Sequence, residues 1–542
     1  MCKNLSIKNA LPLIYAYLTV PIVIFFLGWC RWYIGIPTAI IVSAGALLSL
    51  REHWKHSFEA ISLNRSDGMK LLLIFLIVSM WVVLSGIGGY TWQNTDHYYR
   101  NGIYEMLVRD SWPVAKELSI DSITNHRALI YYIGFWLPAA LFGKIFGLQA
   151  GYAFQYVWVV LGILITYALI CLWRKRILVW PLFIFILFSG LDAAGTWLSS
   201  PDKLEILGEN HLEWWAPHYQ FSSISTQLFW VFNQAVPAWV ASIFILLFER
   251  PKNMIFTASL IMLTSIFPFV GVLPFAAYFM ISRSAWAQCY NSVVSLYHDI
   301  LKNCGSIQNI IAGGCVGVLS TLYLLGNEAL RDSLTFVGRM TRGQLIMLII
   351  FVGLLCILVI GSFTWVCLHL NTKWLWCLPF AVGIFLLYRS LTLDYGDGHS
   401  APYLWMNLNV FFFLEAGIYL LILHGFVRDH ILFWITAGTL YLCPMIVVGT
   451  RNDFCMRVSI PALFLVLLWC IQKIDEQARR LSTYILLGVL IIGAITPFHE
   501  IRRTYVNSRN SYEQIVIDED TIFTGYNFSG NTDNFFWKYI AR

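Results

Sequence analysis

The sequence predicts an all-α polytopic integral membrane protein with about 13–15 transmembrane helices. Three observations carry this expectation. The 542 residues are 58% hydrophobic and only 12% charged, whereas soluble domains hold about 45–50% apolar and about 25% charged residues. Apolar runs long enough to cross a bilayer recur from residue 11 to residue 497. Basic residues gather in short tracts between those runs, so the net charge of +6 reads as an orientation signal rather than a nucleic-acid footprint.

Lys3 and Lys8 precede an apolar run from Leu11 to Trp29, but no small-residue cleavage site follows, and Trp29 before Cys30 is wrong for lipoprotein processing. A retained helix is expected. Further spans are expected over 32–50, 71–90, 151–172, 179–199, 226–248, 254–282, 307–325, 344–369, 373–388, 404–424, 431–449, 458–472 and 483–497. Phe267-Pro268-Phe269 and Pro274 interrupt 254–282, which is read as two short helices meeting at a turn.

Arg51, Lys55, Arg65 and Lys70, then Arg174-Lys175-Arg176, Arg250 and Lys252, and finally Lys473, Arg479 and Arg480 are placed in the cytoplasm. Summed over every loop, Lys plus Arg are equal on the two sides. The bias emerges once the 91–150 loop and the tail after 497 are set aside, since the rule applies to short loops. The segment 129–148 is apolar, but Pro138 and Lys144 interrupt it, and a crossing there would reverse Arg174-Lys175-Arg176. It is expected as a helix at the outer membrane surface within one long loop, 91–150. Residues 285–303 suggest a second interfacial helix, on the cytoplasmic side. The chain then divides into two additional N-terminal helices with their cytoplasmic loop (1–70), a core (71–497) and a short polar tail (498–542). No internal repeat is visible.

Four polar clusters fall on the outward side of this topology: Asp96, His97 and Arg100; Glu209, His211, Glu213 and His218; Asp394, Asp397 and His399; Arg451, Asp453 and Arg457. If residues 96–104 are helical, Asp96 and Arg100 share a face, so a general base and a cation could meet one substrate. The competing reading is an ion pair that anchors the helix end. Arg451 and Arg457 flank Asp453 where a helix begins, a pattern suited to phosphate; the alternative is arginine snorkelling to headgroups. Asp192 lies at membrane depth, where an ionisable group is a functional candidate. Asn233 and Gln234 are read as interhelical hydrogen-bonding residues, and His211, His218 and His399 as lone exposed imidazoles. The twelve cysteines show no metal spacing and are read as buried free thiols. No nucleotide-hydrolysis motif appears.

The stretches Asp96 to Val114, Arg127 to Lys144, Gln220 to Ser223, Phe229 to Pro237 and Asn452 to Leu463 resemble a family of largely uncharacterised bacterial polytopic proteins. That family is similar to the GT-C superfamily of membrane glycosyltransferases. Residues 71–175 resemble its layout best: a span, a long outer loop bearing a catalytic carboxylate and juxtamembrane helices, then a second span. Asp96 stands at the place of the loop carboxylate, and Arg100 where the family carries a His.

The resemblance implies a bacterial inner-membrane enzyme with a cytoplasmic N-terminus and an extracytoplasmic active site. Its donor would be a polyprenyl-phosphate-linked sugar and its acceptor a glycan or lipid. Asp96 would be the catalytic base, with Arg100, Asn101, Asp192, Arg451, Asp453 and Arg457 binding substrate or phosphate. No cofactor is named, and a divalent cation is left open. Membrane lipids are the surrounding partners, and nucleic acid is not expected. Two other readings share these features: a glycolipid flippase or exporter, and an O-antigen polymerase or ligase.

Overall fold

The computed structural model describes residues 4–120, 123–201, 204, 208–285, 298, 301–329, 401–446, 453–509, 514–524 and 527–542. These residues are mostly helical, and nine helical stretches among them are long and apolar enough to cross a membrane. The first two, α1 (Ile7–Trp29) and α2 (Trp32–Trp54), form an antiparallel hairpin. Its open end is closed by strand β1 (Asn4–Ser6) pairing antiparallel with β2 (Ala60–Ser62). Asn64 and Asp67 then form a reciprocal capping box that starts α3 (Arg65–Leu84).

Between α3 and the next span lies the expected long loop, and it is well structured. It contains α4 (Thr95–Arg109), the hairpin β3 (Ala115–Ile120) and β4 (Ile123–Leu129), and α5 (Leu137–Phe146). Residues 129–148 are therefore not one helix. Leu129 ends a strand, a 3-10 turn covers Ile133–Trp136, and only ten residues form α5. At about 1.5 Å rise per residue, α5 is too short to cross a bilayer core.

The spans α6 (Leu148–Trp173) and α9 (Ile224–Leu247) bracket a broken segment, α7 (Trp180–Leu187) and α8 (Asp192–Ser199). Helix α9 is buried along nearly its whole length and sits at the centre of the bundle. The expected pair at 254–282 is present as α10 (Met254–Ser259) and α11 (Ile266–Ala285). Its break falls at 260–265, ahead of the expected position, because Pro268 fits the first turn of α11, where its missing N–H costs nothing. After α12 (Gly314–Leu324), the described chain resumes with α13 (Ala401–Phe412), α14 (Ile418–His424), α15 (His430–Leu442), α16 (Asp453–Val458), α17 (Ile460–Glu476), α18 (Leu481–Gly493) and α19 (Ile495–Ser508). The expected spans 344–369 and 373–388, most of the interfacial helix at 285–303, and Asp394, Asp397, His399 and Arg451 lie outside the described residues.

Two departures from the expectation concern the tail and the cysteines. Helix α19 carries the last span to Ser508, beyond the expected end at 497. The chain then folds back through α20 (Glu519–Thr524) and β5 (Ser529–Asn531), which adds a third strand beside β4. Among the described thiols, Cys30, Cys171, Cys443, Cys455 and Cys470 are buried, while Cys304 and Cys315 are half-buried.

The polar contacts separate the two ends of the bundle. At one end Lys175 pairs with Glu59 at 2.5 Å, Lys252 with Glu52 at 3.4 Å, and Arg174 and Arg176 with Asp475. These are the basic tracts of the sequence, drawn together. At the other end Arg31 donates to the carbonyls of Ala541 and Lys538, and Arg127 forms a two-point pair with Glu328. The described members of the polar clusters gather at this second end.

Candidate functional site

Helix α4 begins where the sequence supplies a cap. The Asn94 side chain accepts from the Asp96 amide at 3.1 Å and donates to the carbonyl of Phe229 at 2.9 Å. That carbonyl belongs to α9 just before a kink at Val231, which takes it out of the regular helical ladder. His97 Nε2 bonds the same carbonyl at 3.0 Å, and its ring stacks on Phe232. Burial, reinforced by the Arg100 guanidinium, lowers the His97 pKa to about 3, so this imidazole is neutral.

With α4 fixed in this way, Arg100 Nη2 donates to Asp96 Oδ2 at 2.8 Å. The Asp96 side chain is 43% exposed, while that of Arg100 is 8% exposed and lies against the Phe232 ring. The same pattern occurs a second time. Arg457, 7% exposed, pairs at 3.3 Å with Asp453, 35% exposed, again four residues earlier on a helix. Arg457 Nη1 also donates to the Tyr132 hydroxyl at 3.1 Å.

The two pairs form one electrostatic constellation. Asp453 feels Arg457, Asp96 and Arg100, and Arg457 feels Asp453, Tyr132, Tyr131 and Asp96. Burial raises the Asp453 carboxyl above its ordinary range although Arg457 opposes the shift. Burial works against the charge on Arg457, but Asp453 and the tyrosines outweigh it and hold the pKa above its ordinary value. Arg100 Nε and Nη1 and Arg457 Nε are buried and have no hydrogen-bond partner among the described residues. Guanidinium N–H groups without a described partner, on two helices whose charged groups interact, suit an anion such as a phosphate.

The remaining predicted residues are placed differently. Asn101 is buried and donates to Gln93 Oε1 at 2.8 Å and to the Ile515 carbonyl at 3.2 Å, so its amide joins α4 to the tail. Asp192 opens α8 after the break at 188–191 and accepts from Ser189 Oγ at 2.8 Å. Its carboxyl lies within hydrogen-bonding reach of Glu415, which also accepts from Trp215 Nε1 at 3.0 Å. Gly190 permits this approach: a Cβ there would stand 1.7 Å from Glu415 Oε2.

Two readings of polar residues are corrected. The His211 side chain is buried, not exposed, and its Nδ1 bonds Glu500 at 2.7 Å. Burial lowers its pKa, but Glu500 outweighs that effect and leaves it raised. Asn233 and Gln234 are fully buried, yet their side-chain amides have no hydrogen-bond partner among the described residues. Among the described residues they find none of the interhelical bonds their composition suggested. Among the described residues no group of three His, Cys, Asp or Glu could hold a metal ion.

Sequence reasoning missed Tyr132, Glu415 and Glu500. Glu415 could have been found by the argument applied to Asp192, since it too interrupts an apolar run. Tyr132 and Glu500 carry no comparable local signal. Comparison with protein-family models, curated proteins and solved structures gives no match for this chain.

Proposed function

We propose that the protein is a bacterial membrane glycosyltransferase that moves a sugar from a polyprenyl-phosphate carrier to a glycan or lipid acceptor on the extracytoplasmic side. The observation that carries this reading is the meeting of Asp96–Arg100 with Asp453–Arg457, with buried guanidinium N–H groups left open. Nothing in packing alone requires two acid–arginine pairs from distant segments to share one location.

The roles follow from chemistry and exposure. Arg100 and Arg457 hold the donor phosphate and offset the charge that grows on it as it leaves. Asp96, the most exposed of the four, is reachable by an acceptor hydroxyl and takes its proton. The acceptor oxygen forms a bond to the anomeric carbon, the bond from that carbon to the phosphate oxygen breaks, and polyprenyl phosphate departs with the electron pair. Asp453 orients Arg457 and faces the sugar hydroxyls. Arg451 is assigned to the same phosphate group from its place in the sequence.

The glycolipid exporter reading draws support from the helix breaks at 188–191 and 260–265, a feature of transport pathways. The two readings part in one experiment. Purified protein in detergent, given polyprenyl-phosphoryl sugars and a glycan acceptor mixture, should release free polyprenyl phosphate, and an exporter should release none. Asp96→Asn should lower that release by about 10²–10⁴-fold with an unchanged melting temperature. A fully active Asn variant would remove the base role.

A further inference from the structure

Resting on the glycosyl-carrier reading, we infer that Phe528 of the C-terminal tail joins Tyr99 and Tyr132 in an aromatic platform that stacks the donor's sugar ring beside its phosphate. Tyr99 lies three residues after Asp96 on α4, on the same side of the helix, and is 37% exposed. Its ring stacks on Phe528 with centroids 5.4 Å apart and planes 26° apart. Phe528 meets Tyr131 edge-on at 5.1 Å, and Tyr131 lies 3.8 Å from Tyr132. Tyr132 in turn accepts the hydrogen bond from Arg457. An unbroken row of rings thus runs from the Asp96 side of α4 to the arginine assigned to phosphate.

The row is held rigidly. The Ile130 amide donates to the Phe528 carbonyl at 3.0 Å. The next residue, Ser529, begins β5 and is gripped by Arg127 Nη2 at 2.6 Å. Tyr131, 8% exposed, backs the row from within, while Tyr132 and Phe528 remain half-buried.

The occupant is chosen by the chemistry around these rings. A pyranose has an apolar C–H face and a rim of hydroxyls. Its face packs on aromatic carbon, and its rim would meet Asp96 and Asp453. A lipid chain would bring neither acid a hydroxyl donor. Because the anomeric carbon is bonded to the phosphate oxygen, a sugar whose phosphate sits on Arg457 falls over Tyr132. The platform therefore belongs to the donor sugar rather than to the acceptor.

The test uses the full chain in detergent and titrates polyprenyl phosphate against polyprenyl-phosphoryl glucose, mannose, galactose and N-acetylglucosamine. Wild type should bind at least one sugar-bearing lipid more tightly than the bare phosphate lipid. Phe528→Ala should reduce that preference about tenfold while leaving affinity for the bare lipid unchanged. Phe528→Tyr should restore it, and Tyr99→Ala, at an exposed helix position, should lose it independently of any folding defect in the tail. Retention of the full preference in both Ala variants overturns the platform, as does a wild type with no preference for any of the four sugars. A wild type that fails to bind bare polyprenyl phosphate overturns the glycosyl-carrier reading as well, and only that result does so.

Discussion

Two buried charged clusters at opposite ends of the bundle solve the problem of desolvated charge in opposite ways. At the basic-tract end, fully buried Glu249 accepts from Tyr15 at 2.8 Å, His53 Nε2 at 2.8 Å, Thr257 at 2.5 Å, Asn253 at 3.1 Å and the Arg250 amide at 2.8 Å. Burial pushes its pKa up, but His53 and these donors outweigh burial and hold it below the ordinary carboxylate value. Nearby, Arg283 donates to the carbonyls of Ile245, Leu246 and Glu249. At the other end, Arg100 and Arg457 keep N–H groups with no partner among the described residues. A carboxylate whose two oxygens are both filled by its own protein ties α1, α2 and α10 to the end of α9. A cluster with N–H groups left open suits an anionic ligand.

This contrast makes unequal predictions. The largest concerns Glu249: Glu249→Ala strands the Tyr15, His53 and Thr257 donors in the core and should cost about 3–5 kcal/mol of stability. Denaturation in detergent would read this, and a variant that melts with wild type would break the distinction. Arg457→Ala should instead spare most of the stability and weaken binding of polyprenyl phosphate by about 10–100-fold, the worth of about one or two charge-assisted hydrogen bonds. A direct titration measures it; a large fall in melting temperature with intact lipid affinity would show Arg457 to be another lock.

The smallest effect belongs to His211, which lies at the open end but is paired like the closed one. Its folded pKa is raised above the ordinary 6.5. Its ion pair with Glu500 therefore stabilises fully below pH 6.5 and loses that contribution as pH rises through the raised folded value. Wild type should exceed His211→Gln by about 1 kcal/mol in acid and by less in alkali. Melting curves across that range check it, and a gap that widens with pH would reverse the assignment of charge.

The site was partly legible before any fold was known. Asp96 with Arg100 could be read as a pair because four-residue spacing on a helix is local information, whereas Asp453 was legible only as a carboxylate flanked by Arg451 and Arg457. Asn101 was legible as a polar residue of the same segment, but not as a tie to the tail, because its partner Ile515 is distant in sequence. Gly102 shows the same limit, since a Cβ there would stand 2.6 Å from the Ile517 carbonyl. His211 looked exposed because its own loop is polar; its burial depends on α19, which supplies Glu500. The tail looked like a polar extension, yet it adds a third strand beside β4 and sets Phe528 against Tyr99 of α4.

The sequence by itself determined that this is a helical membrane protein, because hydropathy and span length are properties of short continuous segments. It also determined the Asp96–Arg100 pair and the separation of basic tracts from polar clusters. Only the tertiary structure decided that the pairs share one electrostatic environment, that their guanidinium groups keep N–H groups without a partner among the described residues while the Glu249 carboxylate is filled, and that the tail brings Phe528 against Tyr99. Those outcomes depend on contacts between segments hundreds of residues apart, and no local pattern of side chains records which distant carbonyl, carboxylate or ring will fill a given neighbour's space.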